Sequence, residues 1–251
     1  MSVELNDRER IILDRLSCEG SVSVGELARD LGLSEVTIRG DLRGLEDKGW
    51  INRKWGGAAA AIHRNILERQ KEFPERKNAI AKAAAKLVQD GDVIMIEAGT
   101  TTALIARYLA EKRDVHIVTN STLVFSYARM YPHLQITMTG GEFRRSTESL
   151  VGPIALDTIE RLNVRLAFVG TDGFSLERGM TTHLMEGAEI VKAMKTHAQT
   201  TVLVADSSKY GKTGFASVLP LSAMDLILTD NELEDRAESD LLEAKIKINK
   251  A

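Results

Sequence analysis

The stretch LSEVTIRGDLRGLEDKGWINRKWGGA (residues 33–58) carries the most information in the chain. Ser34 is a residue type that caps helix N-termini, and Ile38, Leu42 and Leu45 follow it at helical spacing. One face of this helix is therefore expected to be buried, leaving Thr37, Arg39, Gly40 and Arg43 off that stripe. Gly49 is expected to close the helix. Ile51, apolar between polar neighbours, and the Gly56-Gly57 pair then predict a short strand and a turn.

Upstream, GELARDLG (25–32) places Leu27 and Leu31 one helical turn apart, with Gly32 as a turn. SVSV (21–24) is β-prone, and RERIILDRLSCEG (8–20) carries Ile11, Ile12 and Leu16 on a helix ended by Gly20. The order helix, short strand, helix, tight turn, helix, strand is that of a winged helix-turn-helix, a small α+β domain. In that motif the N-terminus of the last helix meets base edges of double-stranded DNA. That position falls to Ser34, Glu35 and Thr37. Arg39 and Arg43, one turn apart on a shared face, would contact bases or phosphates, and Arg53 and Lys54 would add backbone contacts from the wing. Charge alone leaves a protein-interaction helix bundle open. Residues 1–60 hold nine Lys/Arg against eleven Asp/Glu, although five of those bases and only three of the acids fall between 39 and 54.

Downstream, AAAAIHRNILERQKEFPERK (58–77) reads as a partly helical linker interrupted by Pro74. This gives a domain over 1–60, a linker over 61–77 and a second domain over 78–251. In the second domain apolar strands alternate with helical segments. AIAKAAAKLVQDGD is a helix ending at Gly91, VIMIEAG a strand, and TTTALIARYLAEK a helix. Strands in VHIVTNS, LQITMTGG, LAFVGTDG, TVLVADSSK and MDLILTDN are interleaved with helices over 122–131, near 153–162, over 186–198 and over 232–245. This is the pattern of an α/β domain with a mostly parallel sheet and helices on both faces. Polar clusters follow the strands: Glu97 to Thr102, Asn120-Ser121, Thr171-Asp172, 206–209 and Thr229-Asp230. In open α/β sheets that edge binds ligands, so one shared site is expected there.

The 251 residues are 43% hydrophobic and 27% charged, with a net charge of −3 and one cysteine, Cys18. A lone cysteine excludes an internal disulfide and a multi-cysteine metal site. Neither a metal nor a cofactor is expected. No apolar run approaches the ~20 residues that span a bilayer, and MSVELNDRER lacks a signal-peptide core, so a cytoplasmic location without a membrane partner is expected.

The residues Ser34, Thr37-Ile38-Arg39, Asp41-Leu42, Leu45, Gly49, Arg53 and Gly56-Gly57-Ala58 together resemble the signature of the DeoR family of transcriptional regulators. Two positions depart from it. Gly40 stands where the family usually has a second Arg, and Trp55 where it often has His. The second half also resembles the family, through EAGTTTALIA (where Glu97 and Ala98 replace the more usual Asp and Ser) and through Gly140, Gly141, Arg144 and Gly152. The resemblance implies a homo-oligomeric repressor, dimer or tetramer, controlled by a phosphorylated sugar. It also implies a sensor domain shaped like ribose-5-phosphate isomerase. In such a domain Lys209 and the 99–102 loop, Gly99, Thr100 and Thr101 foremost, would hold phosphate, Glu97, Asn120 and Asp172 would face sugar hydroxyls, and Ser121 and Arg144 would complete the effector set. The isomerase's Asp-Gly-Ala-Asp-Glu and Lys-Gly-Gly-Gly segments are not reproduced, so binding without turnover is expected. A sugar-phosphate isomerase with an accessory DNA-binding domain is the alternative.

Overall fold

The computed structural model describes residues 5–19, 21–48, 51–54, 57–60 and 64–251. Two compact units divide the chain between Leu67 and Glu68. Among the described residues no helix is long and apolar enough to cross a membrane.

The first unit comprises α1 (Asp7–Glu19), β1 (Ser21–Ser23), α2 (Val24–Leu31), α3 (Glu35–Asp47), β2 (Ile51–Lys54) and β3 (Gly57–Ala60). Ser23 opens α2 with a reciprocal capping box to Glu26, and Gly32 closes it at φ +65, a left-handed turn suited to glycine. Ser34 caps α3, its Oγ accepting the Thr37 N–H at 3.1 Å. Ile12, Leu16, Val22, Leu27, Ile38, Leu42, Leu45 and Ile51 form the core. Ile11 does not join it and is 46% exposed, so α1 presents a narrower apolar face than its sequence suggests. β3 lies between β1 and β2, antiparallel to both. Among the described residues three strands are thus present where the sequence predicts two, because the alanines of 58–60 have weak strand preference and are recruited by pairing on both sides. The expected helix ends at Gly20 and Gly49, and Trp55 and Gly56 of the signature, lie outside the described residues.

The described residues of the segment expected to be a linker, from Arg64 on, are mostly helical. α4 (Arg64–Lys71) contains the boundary between the units, and α5 (Pro74–Lys86) begins at Pro74. Proline fits the first helical turn, where its missing N–H has no intrahelical partner, so it starts a helix here rather than interrupting one. α5 stops at Lys86, short of Gly91.

In the second unit β4 (Val93–Ile96), β5 (His116–Thr119), β6 (Gln135–Met138), β9 (Val164–Val169), β12 (Ala198–Val204), β14 (Leu226–Thr229) and β15 (Ile248–Lys250) form one parallel sheet. Their order is β15-β14-β12-β9-β4-β5-β6. Successive strand residues point to opposite faces. Ile94, Met95 and Ile96 are all fully buried, as are Leu203 and Val202 beside one another on β12, so both faces are covered. Met95, Ala167 and Leu203 share a core with Ala155 and Ile159 of α8 (Pro153–Glu160), Ile190 and Met194 of α9 (Met185–Thr196) and Leu241 of α10 (Asp235–Glu243). α5 packs against α6 (Thr100–Ile105), β12 and β14.

The expected helices over 122–131, 153–162, 186–198 and 232–245 are Thr122–Ala128 (α7), α8, α9 and α10, each trimmed at one or both ends. The helix expected through residue 112 is α6, which ends at Ile105 and passes into a single 3-10 turn. Two small antiparallel sheets have no counterpart in the sequence reading. One pairs β7 (Glu142–Arg144) with β8 (Ser149–Val151), and the other orders β10 (Gly173–Ser175), β11 (Gly179–Thr182) and β13 (Ala216–Ser217) as β10-β11-β13.

Candidate functional site

On α3, Ile38, Leu42 and Leu45 are fully buried while Val36 is 79% exposed and Glu35, Arg39, Gly40 and Arg43 face outward with it. Thr37 is half-buried, and its hydroxyl lies 2.9 Å from that of Ser34. Arg39 pairs with Glu35 across one helical turn at 3.0 Å. Both partners are half exposed, and such a pair contributes only ~0–1 kcal/mol, so Arg39 can leave Glu35 for a phosphate at little cost. The backbone of Arg53 and Lys54 runs in β2 opposite Ala58 and Gly57 of β3.

The second unit holds a cavity whose lining residues all come from that unit. Its position follows from the sheet order. The chain leaves β4 toward β5 and β6 on one side, then returns to the other side of β4 as β9 and continues to β12. Loops leaving β4 and β9 therefore diverge, opening a crevice at their C-terminal ends. Glu97 follows β4 directly, and its Oε2 accepts the N–H of Gly170, which follows β9, at 3.1 Å. Burial pushes the Glu97 carboxyl up to about 8; the Gly170 N–H opposes this, Asp172 adds to it, and Arg69 works against it.

Asn120 braces the same edge. Its Oδ1 accepts the Ala98 N–H at 3.0 Å and its amide donates to the Leu150 carbonyl at 3.1 Å. The backbone of Gly99 is extended, and Thr102 donates its hydroxyl to the Gly99 carbonyl at 3.0 Å. Asp172 receives the Thr182 hydroxyl and the His183 N–H on Oδ2, both at 2.9 Å, and Arg69 on Oδ1 at 2.8 Å. Burial alone would raise the Asp172 pKa, but Arg69, the His183 N–H and the Thr182 hydroxyl together hold it below the usual carboxylate range.

Glu97, Gly99, Thr100, Thr101, Asn120, Asp172 and Lys209 all line this cavity. Ser121 and Arg144 do not. Ser121 is fully buried and caps α7, accepting the Val124 N–H at 3.2 Å, while Arg144 pairs with Glu186 at 3.0 Å. Thr102, Thr171, Thr182 and Asp206, from the polar clusters expected near the strand ends, line it too, whereas Arg69, Lys77 and Ser149 were not expected from the sequence. Lys77 could have been found. It falls on the buried stripe of α5 with Ile80, Ala81 and Ala84, and a lysine on a buried stripe needs a polar destination. Burial lowers its pKa, against the pull of Asp206.

Three basic groups, two aspartates, a carboxyl held in its neutral acid form and a row of threonine hydroxyls thus share one crevice. Such a set can hold a small ligand that carries both hydroxyls and an anionic group. Among the described residues no group of three or more His, Cys, Asp or Glu side chains is placed to hold a metal ion.

Residues 72–231 match the family described as the DeoR C terminal sensor domain, and residues 8–64 match the DeoR-like helix-turn-helix domain. The chain belongs to the DeoR family of transcriptional regulators. The HTH-type transcriptional regulator GlpR of Haloferax volcanii is 36% identical over 96% of both chains. The lactose phosphotransferase system repressor of Staphylococcus epidermidis is 32% identical over 93% of this chain and 96% of its own. Among solved structures, ribose 5-phosphate isomerase A of Methanocaldococcus jannaschii is similar at 23% identity, covering 55% of this chain and 54% of that one with a TM-score of 0.41. The DeoR assignment joins the two units under one role: the first carries the DNA-binding motif and the second is the family's sensor.

Proposed function

We propose that this DeoR-family chain is a repressor of carbohydrate genes that binds operator DNA through α3 and the β2–β3 wing, and that a phosphorylated sugar entering the cavity of the second unit controls it. The observation that carries this reading is the cavity itself. Basic groups, hydroxyls and carboxyl groups converge at the C-terminal edge of the sheet where its strand order reverses. The name of the staphylococcal relative, a lactose phosphotransferase system repressor, points the same way. Lys209 and the Gly99–Thr101 backbone are assigned to the phosphate, and Glu97, Asn120 and Asp172 to the hydroxyls. A protonated Glu97 would donate a hydrogen bond and Asp172 would accept.

A thermal-shift screen of phosphorylated sugars against the full chain tests the sensing half. A compound at about a hundred times its Kd stabilises the folded state by about 2.7 kcal/mol, which is several degrees in Tm. A screen with no shift by any sugar phosphate would contradict the reading.

For the DNA half, a two-fold dimer would set paired α3 helices about 34–36 Å apart in successive major grooves. Arg43→Ala is expected to weaken operator and random duplexes alike and to lower the log–log salt slope by about 0.9 if it touches one phosphate. Loss confined to one operator position in a base-substitution series would show that Arg43 reads a base.

One observation favours a second reading. A carboxyl with a pKa of about 8 beside a sugar-phosphate site is suited to moving protons near neutral pH, as an aldose–ketose isomerase requires. Against it stands the absence from the sequence of the isomerase's Asp-Gly-Ala-Asp-Glu and Lys-Gly-Gly-Gly segments. Interconversion of pentose phosphates by purified protein, abolished in Glu97→Gln, would reverse the ranking.

A further inference from the structure

Two basic side chains enter the cavity from outside the strand ends, and both hold the end of α4. Arg69, in the last turn of α4, gives its guanidinium to Asp172 Oδ1 at 2.8 Å. Lys77, in the first turns of α5 and only 3% exposed, donates its ammonium group to the main-chain carbonyl of Arg69. Carbonyls in the last turn of a helix have no intrahelical donor, and a cation there satisfies them and complements the helix dipole. The last turn of α4 is therefore closed at one point by a carboxylate and at another by a buried ammonium, and both of those groups line the cavity.

The turn that follows is held against its own preference. Phe73 has φ +47, a left-handed conformation that an aromatic residue rarely adopts. Its ring lies under the Arg76 guanidinium, 4.5 Å from the ring centroid, and Arg76 in turn donates to Ser207 Oγ at 3.3 Å. Strain of this kind persists only where the surroundings enforce it.

A ligand that draws on Asp172 or Lys77 must therefore take it from α4. We infer that occupancy of the cavity is read by α4: a polyhydroxylated, anionic ligand takes over Asp172 and Lys77, which frees Arg69 and releases the last turn of α4. The boundary between the two units falls inside α4, so the released turn lies on the chain's covalent path between sensor and DNA-binding unit. A ligand changes a conformational balance only through contacts that differ between the two states, and competition for Asp172 and Lys77 supplies such a difference. The ligand class in this inference rests on the sugar-phosphate reading above; the clamp on α4 does not.

Hydrogen exchange measured by mass spectrometry on the full chain, over residues 68–73, separates the two. In the absence of ligand, Asp172→Asn and Arg69→Gln are each expected to speed exchange there by about tenfold, with no further gain in the double variant and no change in β9. Wild-type exchange in either single variant, or factors that multiply in the double, would overturn the clamp. D-ribose 5-phosphate, D-glucose 6-phosphate and D-fructose 1-phosphate are then added in turn. Whichever raises the thermal midpoint is expected to speed exchange at 68–73 in the wild type and to leave Arg69→Gln unchanged. Slower exchange there on binding would overturn the inference. If none raises the midpoint, the ligand reading fails for these sugars, while the ligand-free cycle still decides whether the clamp exists.

Discussion

Glu97 illustrates how a single residue's chemistry follows from its place. It directly follows β4 and is all but excluded from water, so its carboxyl holds a proton up to about pH 8. An unfolded chain would release that proton near 4.5. Below about pH 4.5 both states are protonated and Glu97 costs the fold nothing. Between there and pH 8 the unfolded chain loses the proton first, so stability falls as pH rises, by at most about 1.4 kcal/mol per pH unit. Glu97→Gln removes the ionisation. The variant is expected to match wild type at pH 4.5 and to exceed its Tm at pH 8, as read from thermal unfolding across that range. Equal pH slopes in the two proteins would contradict the burial argument. Gly40 is a second residue-scale case. It lies mid-helix on the exposed face of α3, and a Cβ built there meets nothing within 4 Å. Gly40→Ala is expected to stabilise the first unit by about 1 kcal/mol in chemical denaturation, because alanine loses less backbone freedom on folding and nothing obstructs it.

At the scale of elements, what could be read from the sequence was what repeats. The stripe Ile38, Leu42, Leu45 places α3, the apolar strands place the parallel sheet, and polar residues just past strand ends place much of the cavity's polar lining. What could not be read depended on partners distant in sequence. β3 is an alanine run that becomes a strand by pairing with β1 and β2, and β7, β8, β10, β11 and β13 are two to four residues long, too short to show a period. Ser121 and Arg144 matched the expected residue types, but a helix cap claims the first and Glu186 the second. Arg69 sat in a supposed linker, and its destination at Asp172 lies 103 residues away. The short strands nevertheless position the site. Gly214 donates its N–H to Thr181 of β11 at 2.8 Å, and a Cβ at 214 would fall 2.7 Å from the Thr182 carbonyl oxygen. Gly214→Ala must therefore push β11 aside and displace the Thr182 hydroxyl from Asp172. It is expected to cost about 1–3 kcal/mol and several degrees in Tm. A variant that melts with wild type would show that the 211–215 loop yields freely.

For the whole molecule, a DNA-binding unit and a sensor unit are joined in the chain through α4, and if the sensor controls the first unit, what enters the sensor must change what the first unit binds. Linkage makes this reciprocal: if a ligand weakens operator binding by some factor, operator weakens ligand binding by the same factor. The most direct test uses a duplex selected by the full chain from a random pool, labelled and titrated with that chain while fluorescence anisotropy reports Kd. The titration is repeated at fixed salt with and without the sugar phosphate that most raises the thermal midpoint. Tight binding is expected without the sugar phosphate and a Kd at least about tenfold weaker with it, within the usual range of allosteric coupling. A Kd that the bound sugar phosphate leaves unchanged would contradict it.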